Sequence, residues 1–156
     1  MLLIITTTIT GLMAGLFYSW SVSVTPGIGR LGDKEYLTAF QAMNRAIVNP
    51  LFIIFFLGTA VLLPITSFVH NGQPAFRLLV AASVFYLGGV IAVTFAGNIP
   101  LNNALDRLNI NAATTEQLSV FRARFENRWN MLNHIRSIAN TIALVLAILA
   151  CVKKGG

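Results

Sequence analysis

The chain has 156 residues, of which 56% are hydrophobic and only 10% are charged. A soluble domain carries about 25% charged residues, so these totals exclude an ordinary soluble fold and indicate a chain that lies in lipid. The net charge of +6 does not indicate nucleic-acid binding, because the basic residues fall between apolar runs and at the C-terminus. The single cysteine, Cys151, excludes an internal disulfide.

Four apolar runs follow one another, and we predict membrane spans at about residues 1–24, 51–69, 78–97 and 138–152. The last run is short, so its helix must begin earlier and carry Asn133 and Arg136 into the interface or deeper. The sequence therefore predicts an all-α fold: one integral membrane domain, residues 1–156, formed by a four-transmembrane-helix bundle with helical extensions in the loops on one membrane side.

The first run has no charged side chain and no basic start, which favours a retained helix over a signal peptide. Gly11 and Gly15 have the GxxxG spacing that lets a neighbouring backbone approach closely. Tyr18 fits an interfacial aromatic belt, with an inward hydroxyl donor as the alternative. Pro26 and Gly27 are expected to break this helix, and Gly88 and Gly89 to allow close packing in the third span.

Polar residues concentrate next to these runs. Residues 41–50, QAMNRAIVNP, place Gln41, Asn44, Arg45 and Asn49 on one helical face just before the second span. Residues 97–105, GNIPLNNAL, follow the third span and contain Asn98 and Asn102. Residues 121–136, FRARFENRWNMLNHIR, precede the fourth span and contain Glu126, Trp129, Asn133, His134 and Arg136.

With four spans, all three polar segments lie on the same side of the membrane. Their side chains either form a network that caps helix ends or line a pocket at the bundle mouth, and the ionisable residues favour the pocket. Basic residues are more numerous on this side, which predicts that it is cytoplasmic, although Lys153 and Lys154 oppose that assignment.

The order and spacing of GLMAGLFYSW, VTPG, FQAMNRAIVNPLF, GNIPLNNAL and NHIR resemble the bacterial DUF1772 family of anthrone oxygenase-like membrane proteins. The resemblance implies a small four-helix protein of the bacterial inner membrane. It also implies the activity of the characterised, mainly fungal, relatives, which oxidise anthrones to anthraquinones with O2 and without a cofactor. The matching positions are Gln41, Asn44, Arg45, Asn49, Pro50, Asn98, Pro100, Leu101, Asn102, Glu126, Trp129, Asn133 and Arg136.

Oxidation of an anthrone needs a base, donors for a developing oxyanion and a dry aromatic slot. The candidate catalytic residues are His134 or Glu126 as the base, with Arg45 and Arg136 as donors. Glu126 is alternatively the partner of an arginine, and His134 alternatively faces headgroups. The candidate substrate-binding residues are Tyr18, Gln41, Asn44, Asn49, Asn98, Asn102, Trp129 and Asn133.

No cofactor or metal is expected, because His70 and His134 lie on opposite sides and no ligand set has zinc or iron spacing. The alternative function is a non-enzymatic membrane subunit that binds a quinone, a lipid or a partner protein through the same pocket. The absence of acidic residues within the spans argues against a transporter function. The implied partners are membrane lipid and a hydrophobic aromatic or quinone-like molecule, with a homo-oligomer left open.

Overall fold

The computed structural model describes residues 1–155, and helices joined by short connections account for this part of the chain. The helices are α1 (Leu2–Ile28), α2 (Asp33–Ile47), α3 (Pro50–Val69), α4 (Phe76–Asp106) and α5 (Thr115–Gly155). Four of them, α1, α3, α4 and α5, are long and apolar enough to cross a membrane. The predicted all-α class with four spans is confirmed, and it fits an integral membrane protein.

The membrane helices extend beyond the apolar runs that predict them. The expected break at Pro26 and Gly27 is wrong, because α1 continues to Ile28. A π-helical turn at Trp20–Val24 precedes Pro26 and shifts the hydrogen-bond register, so the helix tolerates a residue without an amide hydrogen. Two further π-helical segments, Leu87–Ala92 and Thr94–Asn98, lie within α4. The helices therefore continue past the edges of the apolar runs.

The bundle packs around α5, which contacts both α1 and α4 along their lengths. The main core contains Met13, Phe17, Phe56, Leu63 and Tyr86. A Cβ atom on Gly89 would collide with the Cβ atom of Ala139, so the expected close packing in α4 is confirmed at Gly89. Gly88 faces open space, as does Gly15, and no close backbone approach within the described chain uses the GxxxG spacing of α1.

A second core closes one end of the bundle, where α2 lies against α5 and the end of α4. Phe40 packs edge-on against Phe125 and Trp129, with ring centroids 4.9 and 4.8 Å away. Arg122 secures this cap through hydrogen bonds to Asp33 (3.0 Å) and Glu126 (2.7 Å) and to two backbone carbonyls. The cap lies on the side where the polar segments gather, and its assignment to the cytoplasm stays a prediction.

Candidate functional site

A cavity of about 310 Å³ lies under the cap and is lined by residues of all five helices. Its walls are mainly apolar, and six of the lining side chains are aromatic: Phe17, Trp20, Phe52, Phe56, Phe95 and Trp129. Five polar side chains reach the same space: Asn44, Thr94, Asn102, Asn133 and Arg136. This composition, an aromatic slot with a few convergent polar groups, is typical of a small-molecule site.

Arg136 supplies the only charge on the described lining of the cavity, and its side chain is buried, with 6% of the residue exposed. It donates to Thr94 Oγ1 (3.3 Å) and to Asn133 Oδ1 (2.8 Å), which are both neutral acceptors. Its Nε has no acceptor, and no carboxylate lies within ion-pair distance among residues 1–155. Since a buried charge is costly unless it is paired, this guanidinium favours an anionic ligand atom in the cavity.

Aromatic rings hold the guanidinium in place. Its Cζ lies 4.6 Å from the ring centroid of Phe17 and 5.4 Å from that of Trp129. At about 1.5 Å per residue, Arg136 is about 24 Å along α5 from Val152, the last apolar residue of that helix. A hydrocarbon layer is about 30 Å thick, so a span that ends at Val152 is long enough to include Arg136.

Two amides fix the neighbouring groups. Asn102 accepts a hydrogen bond from the indole nitrogen of Trp129 (2.8 Å), which joins α4 to α5 at the cavity wall. Asn133 donates to Ser21 Oγ (2.8 Å) and to the carbonyl of Phe17 (3.3 Å) while it accepts from Arg136. These contacts hold Trp129 and Arg136 in defined orientations before any ligand binds.

Of the twelve residues that the sequence predicts for the site, five line the cavity: Asn44, Asn102, Trp129, Asn133 and Arg136. Asn98 is buried beside them but does not reach the space, and neither its oxygen nor its nitrogen has a partner within the described chain. Whether any of these residues acts on a substrate stays a prediction.

The polar face of residues 41–50 is divided. Asn44 faces the cavity, whereas Gln41 donates to the carbonyls of Leu105, Asp106 and Leu108, and Arg45 pairs with Asp106 (2.6 Å) in an exposed depression. Asn49 caps α3 by accepting from the amide of Phe52 (3.0 Å). Arg45 and Arg136 therefore do not share a pocket, because α2 lies across the bundle end and only one edge of it faces inward.

Three further candidates lie outside the cavity. Tyr18 is 57% exposed on the outer surface of α1, as an aromatic-belt residue would be, and His134 is exposed on α5. Glu126 pairs with Arg122, which agrees with its alternative role as the partner of an arginine. The lining, as far as the described residues form it, consequently holds neither a carboxylate nor an imidazole.

Sequence reasoning missed Thr94 and most of the aromatic wall. Thr94 lies in the third apolar run, one helical turn before Asn98, and that spacing is the signal that could have identified it. Phe17, Phe52, Phe56 and Phe95 carry no such signal, because each resembles an ordinary lipid-facing or core residue of a membrane helix.

The fold and cavity define a class: a four-helix bundle of membrane-spanning type with a capped aromatic cavity and, on the described lining, a buried arginine that has no carboxylate partner among residues 1–155. Over residues 37–146, more than half of the chain, the sequence matches the family described as Anthrone oxygenase, and the chain belongs to that family. The expected family is thereby confirmed. The match includes all five polar residues that line the cavity. No curated protein and no solved structure matches the chain.

Proposed function

We propose that the chain is an oxygenase that oxidises a hydrophobic, anthrone-like substrate with O2 inside the aromatic cavity. One observation carries this proposal: Arg136 is buried, lacks a carboxylate partner within the described residues and faces an apolar space. A preorganised cation in a dry site stabilises charge that develops on a substrate oxygen. Membership of the family supports the same conclusion.

The size of the cavity supports a compact aromatic ligand. Its volume of about 310 Å³ is at the lower end of the range of about 300–1,000 Å³ for small-molecule sites. Trp20 and Trp129 line its wall with ring centroids 5.2 Å apart, and aromatic side chains pack well against flat fused rings. These features support a tricyclic substrate with one oxygen directed to Arg136 as the ligand of this proposal.

The reaction needs no external electrons. Loss of a proton from the CH2 carbon of an anthrone gives an enolate whose oxygen is stabilised by Arg136. The enolate carbon transfers electrons to O2 and forms a carbon–oxygen bond, and the resulting peroxide takes up a proton. Elimination of water then breaks the O–O bond and the remaining C–H bond and leaves a carbonyl. Anthrone and O2 thus yield anthraquinone and water.

The first proton has no imidazole or carboxylate acceptor on the described lining. In this proposal the positive charge of Arg136 favours the ionised form of the substrate, and the proton passes to water at the exposed edge of the cavity beside Val48. His134 and Glu126 then act outside the reaction, on the surface and in the cap.

The direct test uses purified protein in detergent, a hydroxylated anthrone and air, with quinone absorbance and O2 uptake as readouts. Arg136→Gln removes the cavity charge, and we expect it to reduce turnover by about 100-fold, the loss typical of one oxyanion donor. Arg128→Gln removes an exposed charge from the same helix and should leave turnover unchanged. Turnover equal to the protein-free rate, or equal rates for the two variants, would overturn the proposal.

A second function, the binding of a quinone without turnover, is favoured by the absence of a base among the described lining residues. In that case the wild-type protein would bind an anthraquinone and Arg136→Gln would weaken this binding. The wild-type protein would not accelerate oxidation of the anthrone. The same preparation distinguishes the two functions when binding and turnover are both measured.

A further inference from the structure

The cavity reaches the outer surface of the bundle between two membrane helices. Near their connecting turn, α3 packs against the Phe76–Tyr86 segment of α4. Toward the cap, the cavity lies between α3 and residues 94–102 of α4. Three lining residues at this gap are exposed: Ile53 by 41%, Leu57 by 44% and Phe95 by 56%.

The depth of the gap in the membrane determines whether it faces hydrocarbon chains or the interface. Leu57 lies about 10 Å from the start of α3 at Pro50, at about 1.5 Å per residue, and so lies below the interface on the cap side. Phe95 stands on the opposite side of the gap and one residue after Thr94, which contacts Arg136. In a membrane-spanning bundle, apolar side chains at this depth face hydrocarbon chains of the lipid.

At the α2–α3 connection the lining residue Val48 is also exposed, by 70%, whereas three other boundaries of the cavity are closed. Toward the cap, Trp20, Phe40 and Trp129 pack together with centroid distances of 4.8–5.4 Å. Between α1 and α5, Ser137 bonds to Ser21 and to the carbonyl of Phe17, both at 2.8 Å. Toward the opposite side of the membrane, buried core residues such as Leu63 and Tyr86 fill the bundle.

We propose that the gap between α3 and α4 is a lateral portal through which the ligand enters from, and returns to, the bilayer. The residues at the two ends of this route indicate the class of ligand. An acidic enol or phenol oxygen of the ligand binds Arg136 at the inner end, and a lipophilic ring system or alkyl substituent lies at Leu57 and Phe95 at the outer end. The identity of the rings rests on the proposed function, whereas the portal rests on the shape of the cavity.

Both tryptophans of the chain, Trp20 and Trp129, line the cavity, so their fluorescence reports its occupancy. The protein is reconstituted into vesicles in a Cys151→Ser background and mixed with vesicles that contain a hydroxylated anthraquinone. Leu57→Cys, labelled with a bulky, non-fluorescent maleimide, blocks the portal. Val61→Cys, labelled in the same way, is the matched control, because Val61 is exposed one turn deeper on α3 and does not line the cavity.

We expect the label at position 57 to slow fluorescence quenching by about tenfold or more, since steric constraint on entry lowers the association rate. The label at position 61 should leave the rate unchanged. Equal rates for both labelled proteins, or no quenching of the unlabelled protein, overturn the portal. If the label blocks quenching but the unlabelled protein does not turn over anthrone, the portal is supported and the oxygenase is rejected. If the protein turns over anthrone and the label does not slow this turnover, only the portal is rejected.

Discussion

Asn133 accepts a hydrogen bond from Arg136 at 2.8 Å, one helical turn away on α5, and through its nitrogen contacts Phe17 and Ser21 on α1. One amide therefore orients the cavity's cation and joins two membrane helices. Asn133 is buried, and both the oxygen and the nitrogen of its side chain form hydrogen bonds. A substitution of Asn133 therefore changes the stability of the bundle and the orientation of Arg136 in the cavity together.

Asn133→Leu should lower the free energy of unfolding by about 1–3 kcal/mol, because it leaves buried polar groups without partners. It should also reduce anthraquinone binding, because Arg136 loses its orienting acceptor. Thermal unfolding in detergent and tryptophan quenching measure the two effects. The control is Asn127→Leu, an exposed amide on the same helix; the same loss for both variants would contradict this role of Asn133.

The charge of Arg136 can be neutralised without removing the residue. Thr94 accepts a hydrogen bond from Arg136 at 3.3 Å, so Thr94→Asp places a carboxylate beside the guanidinium, whereas Thr94→Asn retains a neutral acceptor. We expect the aspartate variant to bind an ionised hydroxyanthraquinone at least about tenfold more weakly, a difference of about 1.4 kcal/mol. Titration by fluorescence quenching compares the two; equal affinities would show that the cavity does not select an anion.

Gly89 and Gly88 form a matched pair for helix packing. A Cβ atom on Gly89 would collide with Ala139, whereas one on Gly88 meets no atom within 4 Å. Gly89→Ala must push α4 away from α5 and should cost about 1–3 kcal/mol. Gly88→Ala should be neutral or slightly stabilising, because alanine favours a helix by about 1 kcal/mol over glycine. Thermal unfolding of both variants tests the contact, and an equal stability of the two would refute it.

Tyr36 is fully buried in the cap, and its hydroxyl has no partner among the described residues. Burial raises the pKa of this hydroxyl, and the nearby Glu126 raises it further, although Arg122 opposes the shift. The unfolded tyrosine ionises near pH 10, so its contribution to stability is complete below that pH and is lost as the pH rises above it.

Tyr36→Phe keeps the ring that packs under Arg122 and removes the unpaired hydroxyl, so we expect unchanged or higher stability at pH 7. Between pH 9 and 11 the variant should lose less stability than the wild type, by at most about 1.4 kcal/mol per pH unit for one group. Unfolding midpoints across this range provide the measurement, and parallel curves would be evidence against the predicted shift.

Two arginines form ion pairs that differ in burial and should differ in strength. Arg122 is 14% exposed and joins Asp33 to Glu126, whereas Arg45 is 62% exposed where it pairs with Asp106. Arg122→Gln should cost about 1–3 kcal/mol and detach α2, because it leaves partly buried carboxylates unpaired. Arg45→Gln should cost less than about 1 kcal/mol. Limited proteolysis of the 28–33 connection and thermal unfolding distinguish them; comparable losses would contradict the assignment.

The sequence alone determined the number of membrane helices, the family and the presence of Asn133 and Arg136 within the bundle. These properties depend on the length and polarity of local segments, since about 20 apolar residues must cross as a helix and a short final run must carry its polar neighbours inward. The same local logic predicted that Asn102 and Trp129 belong with them.

Only the tertiary structure decided which polar residues face the cavity. Helical periodicity shows that Gln41 and Arg45 share a face, but it does not show which way that face points. The direction is set by contacts between distant segments, where Trp20 and Trp129 pack against Phe40 and hold α2 across the bundle end. Asn44 then lies inward and Arg45 outward. The cavity likewise depends on contacts between distant segments. The packing of the helices, and not the composition of the chain, leaves the space that Arg136 lines.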